Sequence, residues 1–419
     1  MGSHWPRRAI SELCLDIVDC VNKTAPTVEG PTPFRMIRTT NVKGGFVNLS
    51  EVRYVEEATY QQWTRRQVPR RGDIILTREA PLGEVGLLRE DEGIFLGQRL
   101  MSYRANPKYV DNRFLLYALL GPELQGQIQA LGAGSTVAHM RVPDAQRLLI
   151  PTPPLAVQER IGSILGAYDD LIEVNRRRIA LLEEMARRLF NEWFVRFRFP
   201  GHDGFPMVDT AEGAVPKGWS LRQVAGLTSY ISRGLAPRYD EAATTLVINQ
   251  KCIRDQRLSL TSARTQSKAV PVDKLVQLGD VLVNSTGVGT LGRVAQVEAV
   301  LEGLTVDTHV TIVRPAAHVD RDFFGLALLR LEPMFERLGA GATGQTELSR
   351  ARIADVELVE PPSEVQASFG RLVRPMRELS FRLAQQNEAL IASRTLLHPR
   401  LIGGELSLDE VERELEAAA

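Results

Sequence analysis

Arg71-Gly72-Asp73-Ile74-Ile75-Leu76 returns 207 residues further on as Leu278-Gly279-Asp280-Val281-Leu282-Val283, and the organisation of the chain follows from that repetition. Leu82-Gly83-Glu84-Val85 is answered by Leu291-Gly292-Arg293-Val294 at an offset of 209, and Gly132-Ala133-Gly134-Ser135-Thr136 by Gly339-Ala340-Gly341-Ala342-Thr343 at 207. Pro153-Pro154 with Gln158 is answered by Pro361-Pro362 with Gln366 at 208, and Trp5 by Trp219 in Pro216-Lys217-Gly218-Trp219. Matches at nearly one offset mark an internal repeat of about 208 residues. The 419 residues are therefore two copies of one plan.

Each copy has the same internal order. Short β-branched runs bounded by glycines, Ile74 to Thr77, Val281 to Val283 and Thr308 to Val313, read as strands and turns. A helix follows from Asn112 to Gln129, with its counterpart from Arg321 to Leu338. After the double proline the pattern changes. Ile161, Leu165, Tyr168, Ile172, Ile179, Leu182, Ala186, Leu189 and Trp193 alternate steps of four and three, with Asn175 in the one gap, which is a heptad seam. In the second copy Met376, Leu379, Leu383, Leu390 and Leu397 keep the rhythm, with Gln386 and Ser393 at polar gaps. Two repeat-related seams are explained by pairing with one another, antiparallel if a two-fold axis relates the copies. The outer faces carry Leu181, Met185 and Phe190, which a two-stranded seam does not use.

Composition narrows the function classes. With 44% hydrophobic and 24% charged residues, and no apolar run near the roughly 20 residues a bilayer crossing needs, the chain reads as globular and without a membrane. Met1 to Ile10 has no apolar core of a secretory signal, so the cytoplasm is the expected location. Cys14, Cys20 and Cys252 have no metal-binding spacing, the six histidines form no ligand pair, and no metal is expected. Net charge is zero, but six acids between Glu405 and Ala419 face only Arg413, so the rest of the chain is basic.

Catalytic motifs are absent or incomplete. Gly287-Val288-Gly289-Thr290-Leu291-Gly292 matches GxGxxG, but β-prone Arg293 to Val297 follows where a nucleotide-binding helix should open, so it reads as a hairpin turn. Asn106-Pro107-Lys108-Tyr109 lacks the second proline of an amino-methyltransferase motif. There is no GxxxxGK[ST], and no lysine follows a glutamate by two positions as a common nuclease motif requires.

Pro151-Thr152-Pro153-Pro154-Leu155-Ala156-Val157-Gln158-Glu159-Arg160-Ile161, followed by Asp169 and the heptads, resembles the signature of type I restriction-modification specificity subunits. Val157 replaces the usual Glu, and the second copy keeps the prolines and Gln366 but lacks the Leu. Ile248 to Arg254, Trp193 to Phe197 and Pro216 to Trp219 fit as well, so the resemblance extends to about Leu406.

The resemblance implies an α+β fold with two mixed α/β target-recognition domains separated by two long helices that form an antiparallel coiled coil of pseudo-two-fold symmetry. The expected boundaries are 1–154 and 201–362 for the recognition domains, 155–200 and 363–404 for the helices, and 405–419 for an acidic tail. It also implies double-stranded DNA as ligand, a split target read one half per domain, and two methyltransferase subunits and restriction subunits as partners. The chain itself would be non-catalytic and without cofactor, with S-adenosylmethionine, ATP and Mg used on the partners. The competing expectation is a coiled-coil adaptor that binds only proteins; it gives no reason for duplicated heads with matched polar loops.

Base edges are read by Arg or Lys on guanine and Asn or Gln on adenine, and phosphates accept from Arg, Lys, Ser and Thr. Polar loops beside the strands supply such residues in repeat-related pairs. Arg38, Thr39, Thr40, Asn41 and Lys43 stand against Asn249, Gln250, Lys251 and Arg254. Thr77 and Arg78 stand against Asn284, Ser285 and Thr286. Ser135, Thr136 and His139 stand against Thr343 and Gln345.

Overall fold

The β-branched run after each Gly-Asp pair forms a central strand because both its faces are covered. In the computed structural model, which describes residues 5–132, 138–210, 213–299, 302–339, 347–409 and 413, these strands are Ile74–Arg78 and Val281–Asn284. The chain divides into two units, Met1–Val174 with Asn387–Ala419, and Asn175–Gln386.

In the first unit Ile74–Arg78 lies between Leu82–Leu87 and Leu100–Ala105 in a six-stranded sheet, with Cys14–Asp19 at one edge. A three-stranded sheet sets Arg35–Ile37 parallel to Ile94–Leu96. The second unit repeats both motifs: Val281–Asn284 pairs with Val294–Gln296 and Val310–Pro315, with Thr228–Arg233 at the edge, and Leu246–Ile248 runs parallel to Thr305–Val306. The segment matching GxGxxG is the turn between antiparallel Val281–Asn284 and Val294–Gln296.

Gly72 and Gly279 recur because each holds a positive φ, +93° and +92°, in the turn before its strand. The aspartates that follow are buried and accept paired hydrogen bonds from an arginine across the sheet. Asp73 accepts from Arg104 at 2.8 and 2.7 Å, and Asp280 from Arg314 at 2.8 and 2.8 Å. Fork-to-carboxylate pairing satisfies both charges at once, which burial of either demands.

The helix expected over Asn112 to Gln129 is two helices, Asn112–Leu120 and Pro122–Gly132. Its counterpart is likewise Arg321–Arg330 and Glu332–Arg337. Pro122 and Pro333 cause the breaks, since proline has no amide to continue the ladder and tolerates only the first turn of a new helix.

The long helices are Leu155–Phe190, continued by one π-turn through Val195, and Ser363–Gly403. Their pairing is antiparallel in each unit. In the first, Asn387 donates to the Ile172 carbonyl at 3.4 Å and Arg394 pairs with Asp169; in the second, Asn175 donates to Gln386 at 3.0 Å and Trp193 packs on Phe369 at 5.7 Å.

The seam of the first helix runs as its sequence predicts, with Ile161, Leu165, Ile172 and Ile179 buried and Leu182 and Leu189 half-buried. The second requires a correction. Met376, Leu383, Leu390 and Leu397 face inward to different degrees, but Leu379 is 41% exposed and Ser380, at 8%, takes the alternate position. That register continues through Asn387 and Arg394, so Gln386 and Ser393 lie on the outside. The true alternate positions are polar, and an apolar neighbour one residue away drew the reading off by one. Phe190 also belongs inside, in an aromatic cluster with Phe194, Phe323 and Phe369, whereas Leu181 and Met185 are exposed.

Leu383→Ala should destabilise the chain by about 2–5 kcal/mol through loss of buried area and the cavity left behind, while Leu379→Ala should stay within about 0.5 kcal/mol. Urea unfolding of the two variants checks the register, and equal losses would contradict it.

Candidate nucleic-acid interface

Each head joins its long helix through one glutamine. Gln158 accepts from the Asp111 amide at 3.1 Å and donates to the Pro153 carbonyl at 2.8 Å; Gln366 accepts from the Asp320 amide at 3.0 Å and donates to the Pro361 carbonyl at 2.8 Å. Asp111 and Asp320 in turn cap the helices Asn112–Leu120 and Arg321–Arg330. Gly162 and Gly370 lie against these aspartates, where an added Cβ would stand 2.6 and 2.4 Å from a carboxylate oxygen.

Above this frame the polar loops converge. In the first unit Glu84 links two of them, its amide donating to Thr77 Oγ1 at 2.9 Å and its carboxylate accepting from the Gly44 amide at 3.2 Å. In the second unit Asn284 donates to the carbonyls of Gln250 at 3.0 Å and Thr290 at 3.1 Å.

Several candidate residues build these loops and do not face outward. Asn41 is buried, accepting from the Arg38 amide at 2.8 Å and donating to the carbonyls of Asn48 at 3.0 Å and Glu51 at 3.3 Å. Thr77, Asn284 and Ser285 are fully buried, and Ser285 Oγ lies 2.6 Å from Thr311 Oγ1. Asn249 closes a 3-10 turn, accepting from the Lys251 amide at 2.9 Å and donating to the Ser262 carbonyl at 2.6 Å. Short polar side chains suit turn-making as well as base-reading, and here main-chain groups have claimed them.

Others remain available. Thr40, Lys43, Lys251, Arg254 and His139 are exposed; Thr39 is half-buried; Arg38 gives Nη2 to the Glu51 carbonyl at 3.2 Å. Gln250 is half-buried, accepting from Thr290 Oγ1 at 3.4 Å. Thr286 Oγ1 lies 2.6 Å from His309 Nδ1. Arg78 is nearly buried and lines a cleft in the first unit. Ser135, Thr136, Thr343 and Gln345 lie outside the described residues.

The sequence reading missed Asp19, Glu79, Gln98 and Arg99 around that cleft, and Arg233, His309 and Glu347 in the second unit. Aligning strand starts would have found two of them, because Arg99 and His309 immediately precede Leu100 and Val310, which face Thr77 and Asn284.

Burial raises the Asp307 carboxyl above the usual carboxylate range, partly offset by the His309 amide that donates to it. Burial pushes the Cys14 thiol up to about 12 and raises that of Cys252, so both remain protonated at neutral pH. No group of His, Cys, Asp or Glu among the described residues is arranged to hold a metal ion. No described helix is long and apolar enough to cross a membrane.

Residues 34–184 match the type I restriction modification DNA specificity domain. The chain is 24% identical over 371 residues to the type I restriction enzyme MjaIX specificity subunit of Methanocaldococcus jannaschii, covering 86% of this chain and 83% of the relative. In sequence the chain is thus similar to type I restriction-modification specificity subunits. A stretch of 119 residues is 31% identical to the putative MjaX specificity subunit of the same organism, 28% of this chain and 27% of that one. In fold the chain is similar to the crystal structure of a type I restriction-modification S subunit from M. genitalium, with a TM-score of 0.63 and 17% identity across 95% of this chain and 96% of that one. The matched domain covers the first head's loops and most of its long helix, and the repeat carries the same plan into the second.

Asn284→Ala should cost about 1–3 kcal/mol, because it leaves the Gln250 carbonyl without its side-chain donor and the Thr290 carbonyl with the Arg293 amide alone. Lys251→Ala should leave stability within about 0.5 kcal/mol yet lower the salt dependence of DNA binding by about one phosphate contact. Thermal melts together with salt titrations of duplex binding separate the two roles.

Proposed function

We propose that this specificity subunit binds a bipartite DNA target, one half-site per unit, with an unspecified gap whose length the paired helices set. The observation that carries this reading is the combination of a conserved frame with divergent surfaces. Both heads keep the Gly-Asp strand, the aspartate-arginine pair and the glutamine joint, while their loops present different residues. Arg38, Thr40 and Lys43 face the duplex in one, Gln250, Lys251 and Arg254 in the other. Two similar frames suit two half-sites on one duplex; different side chains suit different bases.

In the same reading the chain is non-catalytic, acts in the cytoplasm, and docks two methyltransferase subunits and restriction subunits. S-adenosylmethionine, ATP and Mg act on those partners. Exposed Leu181 and Met185 suit a protein contact on the first long helix. A protein-only adaptor leaves the repeat-matched loops unexplained.

Single-molecule sequencing of methylated DNA from strains with and without the gene reports the motif. Replacing residues 1–150 with the head of another specificity subunit should change one half of that motif and leave the other intact. A folded chimera that changes both halves, or a motif that does not depend on the gene, would refute the reading.

Removing one heptad from each helix, Ile172 to Arg178 together with Leu379 to Gln385, shortens each by about 10 Å at 1.5 Å per residue. The expected result is a gap shorter by about three base pairs, at about 3.4 Å each, or loss of binding where the accompanying rotation is not absorbed. Full modification of the original site by the double deletion would contradict a gap set by the helices.

A further inference from the structure

The same main-chain bonds hold Arg78 in the first unit and Ser285 in the second. The Arg78 amide donates to the Arg99 carbonyl at 2.8 Å, and its carbonyl accepts from the Met140 amide at 3.0 Å; Ser285 donates to His309 at 2.8 Å and accepts from Leu348 at 2.9 Å. Two equivalent positions on one frame therefore carry a cation in one head and a hydroxyl in the other.

The hydroxyl is satisfied internally by Thr311. The guanidinium is not: Arg78 is only 8% exposed, its Nε is buried without a partner, and its side chain donates to no other described residue. It lines a cleft of about 340 Å³ with Asn22, Gln98, Arg99 and His139. The two acids of that cleft are each engaged by another arginine. Glu79 lies 3.2 Å from Arg99 and 3.3 Å from His139, and Asp19 lies 2.6 Å from Arg66. A recessed cation whose neighbouring acids are already paired is costly without an anion.

We propose that Arg78 clamps a backbone phosphate of the DNA half-site bound by the first unit, a contact the second unit lacks at the equivalent position. This rests on the DNA recognition argued above. A phosphodiester projects from the duplex and can enter a recessed cleft, whereas a base edge lies within a groove and is met by residues that protrude. The planar fork of arginine matches two phosphate oxygens, and with Glu79 paired to Arg99 and Asp19 to Arg66 the Arg78 guanidinium is the cation left in the cleft to receive them.

The test measures anisotropy of a labelled duplex carrying the motif methylated in the gene-bearing strain, titrated with salt. Arg78→Gln should weaken binding about tenfold at low salt and reduce the slope of log affinity against log salt by about 0.9, the value for one phosphate contact. Arg78→Lys should retain most of the slope. The methylated motif should be unchanged in both, because a phosphate contact positions the protein without reading sequence. A methylphosphonate at one position of the first half-site should weaken the wild type about tenfold and leave Arg78→Gln unaffected. Thermal stability of Arg78→Gln should equal or exceed that of the wild type, since an unpaired buried cation is removed.

Wild-type slope and affinity in Arg78→Gln overturn the clamp while leaving DNA recognition intact. So does a motif altered at one base, which would make Arg78 a base reader, and so does a marked loss of stability, which would make it structural. Absence of any gene-dependent motif overturns the underlying reading and the clamp with it.

Discussion

One amide side chain per unit fixes the head to its long helix. Gln158 and Gln366 each bridge the double-proline turn and the capped end of a head helix, both as donor and as acceptor. A shorter or purely accepting side chain could make one of these bonds but not both. The close approach at Gly162 and Gly370 permits the geometry, and ion pairs reinforce it, Asp170 with Arg113 in the first unit and Arg374 with Asp320 and Asp322 in the second. The signature Pro-Pro and Gln is therefore a mechanical joint, which explains why the second copy can lose its leucine and keep the glutamine.

The frame was legible in the sequence because it is built from residues whose physics is local. A glycine needing positive φ, an aspartate beside it and a β-branched run recur at fixed offset, and each has one favoured structural use. The seam of the first long helix was legible for a related reason: its inward positions are almost all apolar. The second was legible only at every other position. Ser380, Asn387 and Arg394 face inward because their partners satisfy or tolerate them, and periodicity of hydrophobic residues carries no trace of a partner 200 residues away.

The interface was the least legible part. Asn41, Thr77, Asn249 and Asn284 have the chemistry of base readers and instead hold their own loops, because unpaired main-chain groups in tight turns compete for the same donors and acceptors. Which demand prevails depends on tertiary neighbours. Arg99 and His309 escaped notice because they belong to no motif. Only the strand register sets them at equivalent positions, where an arginine and an imidazole then face different neighbours.

The polar layers of the seam have a purpose that apolar packing would not serve. In a uniform leucine seam, a slip of one heptad would exchange one apolar layer for another at little cost. In the first unit such a slip would place Asp169 opposite Asn387 or Leu401 in place of Arg394, stranding a carboxylate that is 1% exposed. Leaving a buried charge without its partner costs about 3–5 kcal/mol, several times the gain from one better apolar contact. Tyr117 also donates to Asp169 at 2.7 Å, and His398 lies 2.7 Å from the Tyr117 carbonyl, so the same slip would break the contact between helix and head. In the second unit buried Asn175 adds a neutral contact, donating to Gln386 at the rim of the seam. The seam gives up some stability for a single register.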